Sequence, residues 1–269
     1  MGLNEVPPPH VSPYYTTIGV SLLGVGGVLY TLTYYLMTRQ SLRERTYAMP
    51  LLPLAFNFAW EAIMLFYVSE ELHEQAIFTL WILLDAGLVY TVVKYGAYEW
   101  THAPVLARNL GKILAAMIAW WGWALYAVCA WWLRNDVGKK AGIFYQGVEG
   151  PDVVELGFWT ALVAQIVLSC ASLAQILVRG NSGGTSYTIW SCRFVGSLFG
   201  LNGNYLWLWW AWPEAHEYFV NPFAICLLIT WVVADLAYLF VLVEVKKTEV
   251  VLEDGRKVRG GMTYAAKVA

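Results

Sequence analysis

The chain alternates between long apolar runs and short polar connections. Seven of these runs are near the length, about twenty residues, that crosses the hydrocarbon core of a bilayer as an α-helix. We place them near residues 16–37, 50–69, 76–96, 108–132, 155–178, 187–211 and 222–244. The pattern predicts an all-α membrane protein folded as a seven-transmembrane-helix bundle.

Two of the runs carry small residues in positions that affect helix packing. The first is rich in glycine, which permits close approach of a neighbouring helix. The sixth contains Gly196 and Gly200 at a four-residue spacing, followed by Asn202-Gly203-Asn204. We expect this second cluster to weaken or kink the helix. The backbone groups freed in this way would then need a polar cavity or a neighbouring helix as hydrogen-bond partners.

Composition agrees with a membrane protein and excludes several other classes. Of the 269 residues, 59% are hydrophobic and only 13% are charged, with a net charge of -2. This composition is unlike that of a soluble domain. No basic stripe is present, so the sequence does not indicate a nucleic-acid partner. We divide the chain into an N-terminal segment (1–15), a membrane domain (16–244) and a tail (245–269), in which Asp254-Gly255 predicts a small hairpin.

The charges of the connections predict an orientation in the membrane. The first and third connections and the tail carry several basic residues and the fifth carries Arg179, whereas the second and sixth are acidic. By the positive-inside rule the tail is then cytosolic and the N-terminus extracytoplasmic. The long fourth connection, with mixed charges, is discordant. In a eukaryotic host we expect the membrane to be the endoplasmic reticulum.

Four charged residues lie deep inside the apolar runs, away from their ends: Glu61, Asp85, Arg193 and Asp235. Because an ionised group in the bilayer is costly, such residues mark functional sites or pair with one another. We expect the Glu61 carboxyl to be protonated, paired or facing a polar cavity. Asn57 lies one helical turn before it, where its amide is able to orient the carboxyl. The alternative is a hydrogen bond that only packs two helices together.

Aromatic residues accompany these acids at helical spacing: Trp60 beside Glu61, Trp81 four residues before Asp85, Trp231 four residues before Asp235, and Tyr238 one turn after it. A carboxylic acid can donate a proton, and aromatic faces can stabilise the cation that results. The alternative is that the aromatics only fill the bundle and that Arg193 neutralises an aspartate.

No aspartate cluster for magnesium, phosphate loop or mid-span lysine for retinal occurs, so we predict no metal and no cofactor.

The order and spacing of these residues resemble a known family. Asn57-x-x-Trp60-Glu61 in the second run, Trp81-x-x-x-Asp85 in the third and Asp235 in the seventh resemble the integral-membrane terpene cyclases of fungal meroterpenoid and indole-diterpene pathways, of the pyripyropene and paxilline types. The resemblance covers the membrane core. It implies that Glu61 and Asp235 are the residues tied to acid catalysis.

The resemblance further implies a prenylated substrate, of farnesyl or geranylgeranyl type, commonly with a terminal epoxide. Protonation opens the epoxide and the chain closes into fused rings. Asn57, Asp85 and Arg193 are then supporting residues, and the aromatics are candidates for lining the cation path. A substrate of this kind is able to enter from membrane lipid. The alternatives are a proton-coupled transporter and a seven-helix receptor or sensor, and the sequence leaves the oligomeric state open.

Overall fold

A computed structural model describes residues 5–260 of the chain. Within that range eight α-helices account for nearly all of the apolar runs. Their bounds are α1 Tyr15–Glu44, α2 Leu51–Ile63, α3 Leu72–Tyr95, α4 Pro104–Arg134, α5 Val153–Arg179, α6 Tyr187–Ser197, α7 Asn204–Ala211 and α8 Pro222–Thr248. The all-α membrane architecture is therefore confirmed. The last helix continues four residues past the boundary that we set at 244 between the membrane domain and the tail.

Six helical stretches in the described part of the chain are long and apolar enough to cross a membrane. They are Tyr15–Glu44, Leu51–Val68, Leu72–Glu99, Pro104–Arg134, Val153–Arg179 and Pro222–Thr248. The sixth predicted run, 187–211, is helical throughout but is not among them. Its interior carries Arg193, Asn202 and Asn204, which lower its apolar character.

Two π-helical segments interrupt the regular helices. One, Leu198–Gly203, joins α6 to α7 and ends beside the Asn202-Gly203-Asn204 cluster, so the predicted irregularity in this run is confirmed. The other, Met64–Val68, follows α2 directly and was not predicted. A π-helical turn widens the helix, and such turns occur frequently at functional sites. The second segment begins three residues after Glu61.

Local capping explains where several helices begin and end. The Asp152 carboxylate accepts hydrogen bonds from the backbone N–H groups of Val154 and Glu155, which fixes the start of α5. The same helix ends at Gly180, whose φ of +61° is the left-handed conformation that favours glycine. Asn221 caps α8, and Pro222 occupies its first position, where a missing N–H costs nothing.

A close helix contact joins α1 to α6 and to the π-helical segment of Leu198–Gly203. A Cβ atom built on Gly26 would lie only 2.5 Å from the Cα of Gly200 and 3.0 Å from the carbonyl oxygen of Gly196. The backbones meet because none of the three residues has a side chain. The glycines of the first and sixth runs therefore act as the sequence predicted, by permitting close packing.

Short antiparallel hairpins lie outside the helices. Phe144–Tyr145 (β1) pairs with Val148–Glu149 (β2), and Val250–Val251 (β3) pairs with Lys257–Val258 (β4). The second hairpin confirms the turn predicted at Asp254-Gly255. The N-terminal segment is tied to the first hairpin region, because Glu5 forms a bridge with Ile143. This bridge holds Glu5 at the end of the bundle.

Candidate active site

A cavity of about 220 Å³ runs through the bundle along one face of α1. The residues of α1 that line it recur every three or four positions, as expected for one side of a helix. They are Tyr15, Thr16, Gly19, Val20, Leu23, Gly26, Gly27, Tyr30 and Tyr34. The lining residues between Thr16 and Tyr30 are all apolar, whereas tyrosine hydroxyls lie at both ends. The cavity therefore suits a long apolar molecule.

Two carboxyl groups are buried together beside the Tyr34 end of this cavity. Glu61 on α2 and Asp85 on α3 are both fully shielded from solvent, and they are close enough to interact electrostatically. The Tyr34 hydroxyl faces Glu61 without reaching hydrogen-bonding geometry. Within the described residues, no oxygen of either carboxyl has a hydrogen-bond partner. A buried carboxyl in this condition is well suited to hold a proton that it later gives away.

Asn57 occupies the predicted face of α2 but does not bind Glu61 in this structure. Its amide nitrogen donates a hydrogen bond of 3.1 Å to the Tyr34 hydroxyl. Asn57 also lines the cavity, as does Trp60, whereas Glu61 lies behind them. The sequence suggested a contact between Asn57 and Glu61. In the structure Asn57 instead positions Tyr34, and Tyr34 faces the Glu61 carboxyl.

Asp235 has a different charged neighbour. Its Oδ1 atom accepts a hydrogen bond from the Arg193 guanidinium, and both side chains are buried. Asp85 is thus the charged neighbour of Glu61, and Arg193 is the charged neighbour of Asp235. Helices α2 and α3 pack together, as do α6 and α8, and these neighbours determine the two pairs.

The Arg193–Asp235 pair reaches the cavity through a chain of hydrogen bonds. The backbone carbonyl of Arg193 accepts from the Ser197 hydroxyl at 3.0 Å, and Ser197 lies 2.8 Å from the Tyr30 hydroxyl. Tyr30 also donates to the side chain of Gln165. Tyr30, Gln165 and Ser197 all line the cavity. None of them was identified from the sequence, because a tyrosine, a glutamine and a serine in apolar runs carry no distinctive spacing.

The aromatic candidates divide into two groups. Trp60 and Trp81 line the cavity, and Trp81 lies 5.8 Å from the ring of Phe78 and 6.3 Å from that of Tyr34. Trp231 is fully buried against Phe194, and Tyr238 stacks under the Arg193 guanidinium at 5.1 Å. Neither Trp231 nor Tyr238 is among the residues that line the cavity.

A second polar cluster, absent from the sequence-based candidates, lies at the Tyr15 end of the cavity. The Tyr15 hydroxyl is 2.5 Å from Glu5 Oε2 and 2.6 Å from His216 Nε2, so it bridges the two side chains. His216 Nδ1 lies 2.9 Å from the Tyr218 hydroxyl. Burial is the largest influence on both titratable groups: it raises the pKa of Glu5 to about 8 and lowers that of His216 to about 3. Neither residue stands out in the sequence, since Glu5 belongs to the N-terminal segment and His216 to the connection between α7 and α8.

The family model of the Pyr4-like transmembrane terpene cyclases matches residues 4–248 of the chain. The chain belongs to this family. The cyclase is 41% identical to the terpene cyclase ascF of Acremonium egyptiacum, with 96% of this chain and 93% of the relative covered. It is 34% identical to the Pyr4-family terpene cyclase mfmH of Annulohypoxylon moriforme, covering 88% and 90% of the two chains. No solved structure matches it significantly.

Membership of this family confirms the enzyme class predicted from Glu61, Asp85 and Asp235. The protein is a terpene cyclase and a multi-pass integral membrane protein. The cavity in the described bundle is lined by aromatic side chains and lies beside two buried carboxyls.

Proposed function

We propose that the cyclase protonates the terminal epoxide of a prenylated substrate and closes the prenyl chain into fused rings, with Glu61 as the general acid. The observation that carries this proposal is the pair of solvent-shielded carboxyls, Glu61 and Asp85, beside an aromatic-lined apolar cavity. Two carboxyls that share a buried site disfavour double ionisation, so one proton is retained near neutral pH.

The reaction conserves atoms and charge. Glu61 gives its proton to the epoxide oxygen as a carbon–oxygen bond breaks, and the π electrons of successive alkenes attack the electron-deficient carbons. A C–H bond next to the last cation then gives its electron pair to a new alkene and its proton to a base. The product is an isomer of the substrate that carries a new hydroxyl group. General acid catalysis of this kind typically contributes about 10²- to 10⁴-fold to the rate.

Asp85, Tyr34 and Asn57 support the acid in this proposal. Asp85 shares the buried environment of Glu61 and is the second carboxyl of the site. Asn57 donates a hydrogen bond of 3.1 Å to the Tyr34 hydroxyl, and both residues line the cavity. A small rotation of the Glu61 side chain would bring its carboxyl toward the substrate, and Tyr34 would guide this movement.

Asp235 has an indirect role in this scheme. The resemblance described above ties an aspartate of the last span to acid catalysis, but the Asp235 carboxyl is held by the Arg193 guanidinium and does not line the cavity. We propose that the pair fixes α6 against α8 and, through Ser197 and Tyr30, shapes the cavity wall. Loss of Asp235 would then reduce activity through the position of Tyr30.

Aromatic faces stabilise the cations that follow protonation. Trp60 and Trp81 line the cavity on the side of the two carboxyls, and Phe78 lies between them, with its ring 5.4 Å from that of Trp60. The negative face of an indole attracts a cation by about 0.5 to 2 kcal/mol, and more where water is excluded. Trp231 and Tyr238, which lie behind the wall, act as packing for Phe194 and Arg193 in this proposal.

The membrane arrangement completes the proposal. We propose that the continuous helical stretch 187–211 crosses the membrane as a seventh span, with its polar residues turned toward the bundle interior. The N-terminus is then extracytoplasmic, the tail is cytosolic, and the membrane is the endoplasmic reticulum of a fungus. A farnesyl- or geranylgeranyl-type substrate would partition into the lipid and enter the cavity from there.

Product analysis tests this function directly. Membranes containing the cyclase are incubated with a prenylated epoxide, and products are examined by mass spectrometry and NMR. We expect a cyclised product of unchanged mass that is absent from membranes carrying Glu61→Gln. A transporter or receptor would leave the substrate unconverted, and a panel of prenylated epoxides that all remain unconverted by folded wild-type protein would refute the proposal.

A further inference from the structure

We propose that Glu5, Tyr15 and His216 form a subsite that binds a hydroxyl group on the polar head of the substrate. This inference rests on the proposed function, since it assigns the opposite end of the same substrate. It places the head group at the Tyr15 end of the cavity and the epoxide at the Tyr34 end.

The first support is a buried acceptor atom that has no partner. Glu5 and Tyr15 both line the cavity, and the Glu5 side chain is only 2% exposed. Its Oε2 atom is occupied by the Tyr15 hydroxyl, but within residues 5–260 its Oε1 atom accepts no hydrogen bond. A buried polar atom left unsatisfied costs about 1 to 3 kcal/mol. A ligand that donates a hydrogen bond to Oε1 would remove this cost.

The second support is the rigid frame around Glu5. The Tyr15 hydroxyl has a single proton, so it donates to one of its two neighbours and accepts from the other. His216 is held in turn by the Tyr218 hydroxyl at 2.9 Å, and its ring packs 6.0 Å from that of Tyr15. The bridge between Glu5 and Ile143 fixes the backbone. The carboxyl is thus preorganised, as a specificity site requires.

The chemistry of the cluster selects a neutral hydrogen-bond donor. The free Oε1 atom accepts whether or not Glu5 carries a proton on Oε2. An anionic head group would meet Glu5 and the nearby Asp152 carboxyl, whose mutual repulsion already contributes to the raised pKa of Glu5. Lys140, a cation near Glu5, donates a hydrogen bond of 2.8 Å to the carbonyl oxygen of Ala215. An alcohol or a phenol therefore fits, whereas a carboxylate or a phosphate does not.

The length of the cavity agrees with this orientation. Tyr15 and Tyr34 are nineteen positions apart on α1, which corresponds to about 28 Å along the helix axis. The α1 residues that line the cavity between Thr16 and Tyr30 are apolar. A prenyl chain lies along this apolar part, so a polar head at one end leaves the far terminus of the chain, with its epoxide, at the carboxyl pair.

A pair of matched substrates tests the subsite. One is a prenylated phenol that carries a terminal epoxide, and the other is its methyl ether, which has the same chain and epoxide but cannot donate a hydrogen bond. For the wild-type enzyme we expect kcat/KM to favour the phenol by about 2- to 10-fold, the effect of one net hydrogen bond. The Glu5→Leu variant should lose this preference, and Tyr15→Phe, which removes only the hydroxyl that orients Glu5, should reduce it.

Tyr14→Phe is the control, because Tyr14 is two-thirds exposed and its hydroxyl has no hydrogen bond in the described structure. It should retain the wild-type preference. Equal kcat/KM for phenol and ether in the wild-type enzyme would overturn the subsite, as would an undiminished preference in folded Glu5→Leu.

Binding separates this inference from the proposed function. If neither compound is converted, thermal shifts of the detergent-solubilised protein still report binding, since a ligand stabilises the folded form that binds it. A larger shift for the phenol than for the ether, lost in Glu5→Leu, would support the subsite while the cyclisation proposal fails. Equal shifts would refute the subsite even where Glu61→Gln confirms the acid.

Discussion

Arg193 on α6 and Asp235 on α8 form an ion pair whose side chains are 3% and 0% exposed. The second carboxylate oxygen of Asp235 and the Nε atom of Arg193 have no hydrogen-bond partner within the described residues. A buried pair gains little net stability over apolar residues, but loss of one partner leaves an uncompensated buried charge. The pair therefore determines how α6 and α8 meet.

From this pair we predict that Asp235→Asn destabilises the protein by about 3 to 5 kcal/mol, because Arg193 is left without its counter-charge. The expected result is a lower yield of folded protein and a lower Tm, with product formation per folded molecule reduced far less than in Glu61→Gln. A double variant, Arg193→Met with Asp235→Leu, should recover part of the lost stability.

The surface pair of Arg256 with Asp254 is the control for this experiment. Its side chains are about one-third exposed, and exposed pairs contribute only about 0 to 1 kcal/mol. Asp254→Asn should therefore leave Tm almost unchanged. If Asp235→Asn instead folds normally and loses all specific activity, then Asp235 acts on the substrate and the indirect role assigned to it is wrong.

Glu61→Gln should abolish cyclisation while the fold is preserved. Glutamine keeps the size of the side chain but has no acidic proton, so we expect product formation to fall by about 10²- to 10⁴-fold. Glu244→Gln is the matched control, because Glu244 is on α8 and more than half exposed. Turnover per folded molecule is the quantity to measure, and turnover near the wild-type value in Glu61→Gln would remove Glu61 from the mechanism.

The glycine contact between α1 and the π-helical segment gives a third prediction. An alanine Cβ at Gly26 would lie 2.5 Å from the Gly200 backbone, which cannot move as a side chain can, whereas at Gly24 it would meet nothing within 4 Å. Gly26→Ala should therefore lower Tm and the amount of folded protein. Gly24→Ala should be neutral or stabilising, because alanine favours helix by about 1 kcal/mol over glycine. Equal behaviour of the two variants would contradict the close contact.

The local sequence pattern was sufficient to predict these elements of local structure, but not which of them pack against each other. The runs, the irregularity near Asn202 and the hairpin at Asp254-Gly255 follow from composition within a few residues of each feature. The partner of Asp235 cannot be predicted from nearby residues, because it depends on which helices pack together. Four charges in separate helices allow several pairings, and the packing of α2 on α3 and of α6 on α8 selects one of them.

Glu5 and His216 were missed for a related reason. Glu5 lies in the N-terminal segment and His216 in the connection between α7 and α8, where polar residues are ordinarily solvated, and neither belongs to a recognisable motif. Their burial follows from the N-terminal segment pairing with Ile143 and from the turn of chain between α7 and α8. Only the folded arrangement places the Tyr15 hydroxyl between them.

The buried Glu5 carboxyl predicts a pH dependence of stability. Burial raises its pKa from 4.5 to about 8, against the opposing effects of the Tyr15 hydrogen bond and Lys140. The folded protein thus binds the proton more tightly, and the stability from this group is complete below pH 4.5 and lost as the pH rises through 8. The slope approaches about 1.4 kcal/mol per pH unit between the two values.

His216 has the opposite effect on the pH dependence of stability, and it acts at lower pH. Burial lowers its pKa from 6.5 to about 3, so its contribution is present above 6.5 and lost as the pH falls toward 3. The interval from pH 6.5 to 8 therefore avoids most of the His216 contribution, and comparison with Glu5→Gln isolates that of Glu5. We expect Tm of the wild-type protein to fall across this interval more steeply than Tm of Glu5→Gln. Parallel curves would show that Glu5 does not titrate there.

The number of spans predicts the sidedness of the two ends of the chain. If the stretch 187–211 crosses the membrane, seven spans place the N-terminal segment and the tail on opposite sides. If it does not, the six remaining stretches place both ends on the same side. The basic residues in the last turn of α8, Lys246 and Lys247, favour a cytosolic tail.

A glycosylation acceptor engineered into the N-terminal segment should therefore be modified in the endoplasmic reticulum, and one engineered after Thr248 should not. An acceptor in the connection between α4 and α5, near Gly147, supplies a second check, because seven spans place that connection on the same side as the N-terminus. Modification at the N-terminal and Gly147 positions without modification of the tail is the result expected for seven spans. Glycosylation of both ends, or of neither, would show that 187–211 does not cross and would overturn the seventh span.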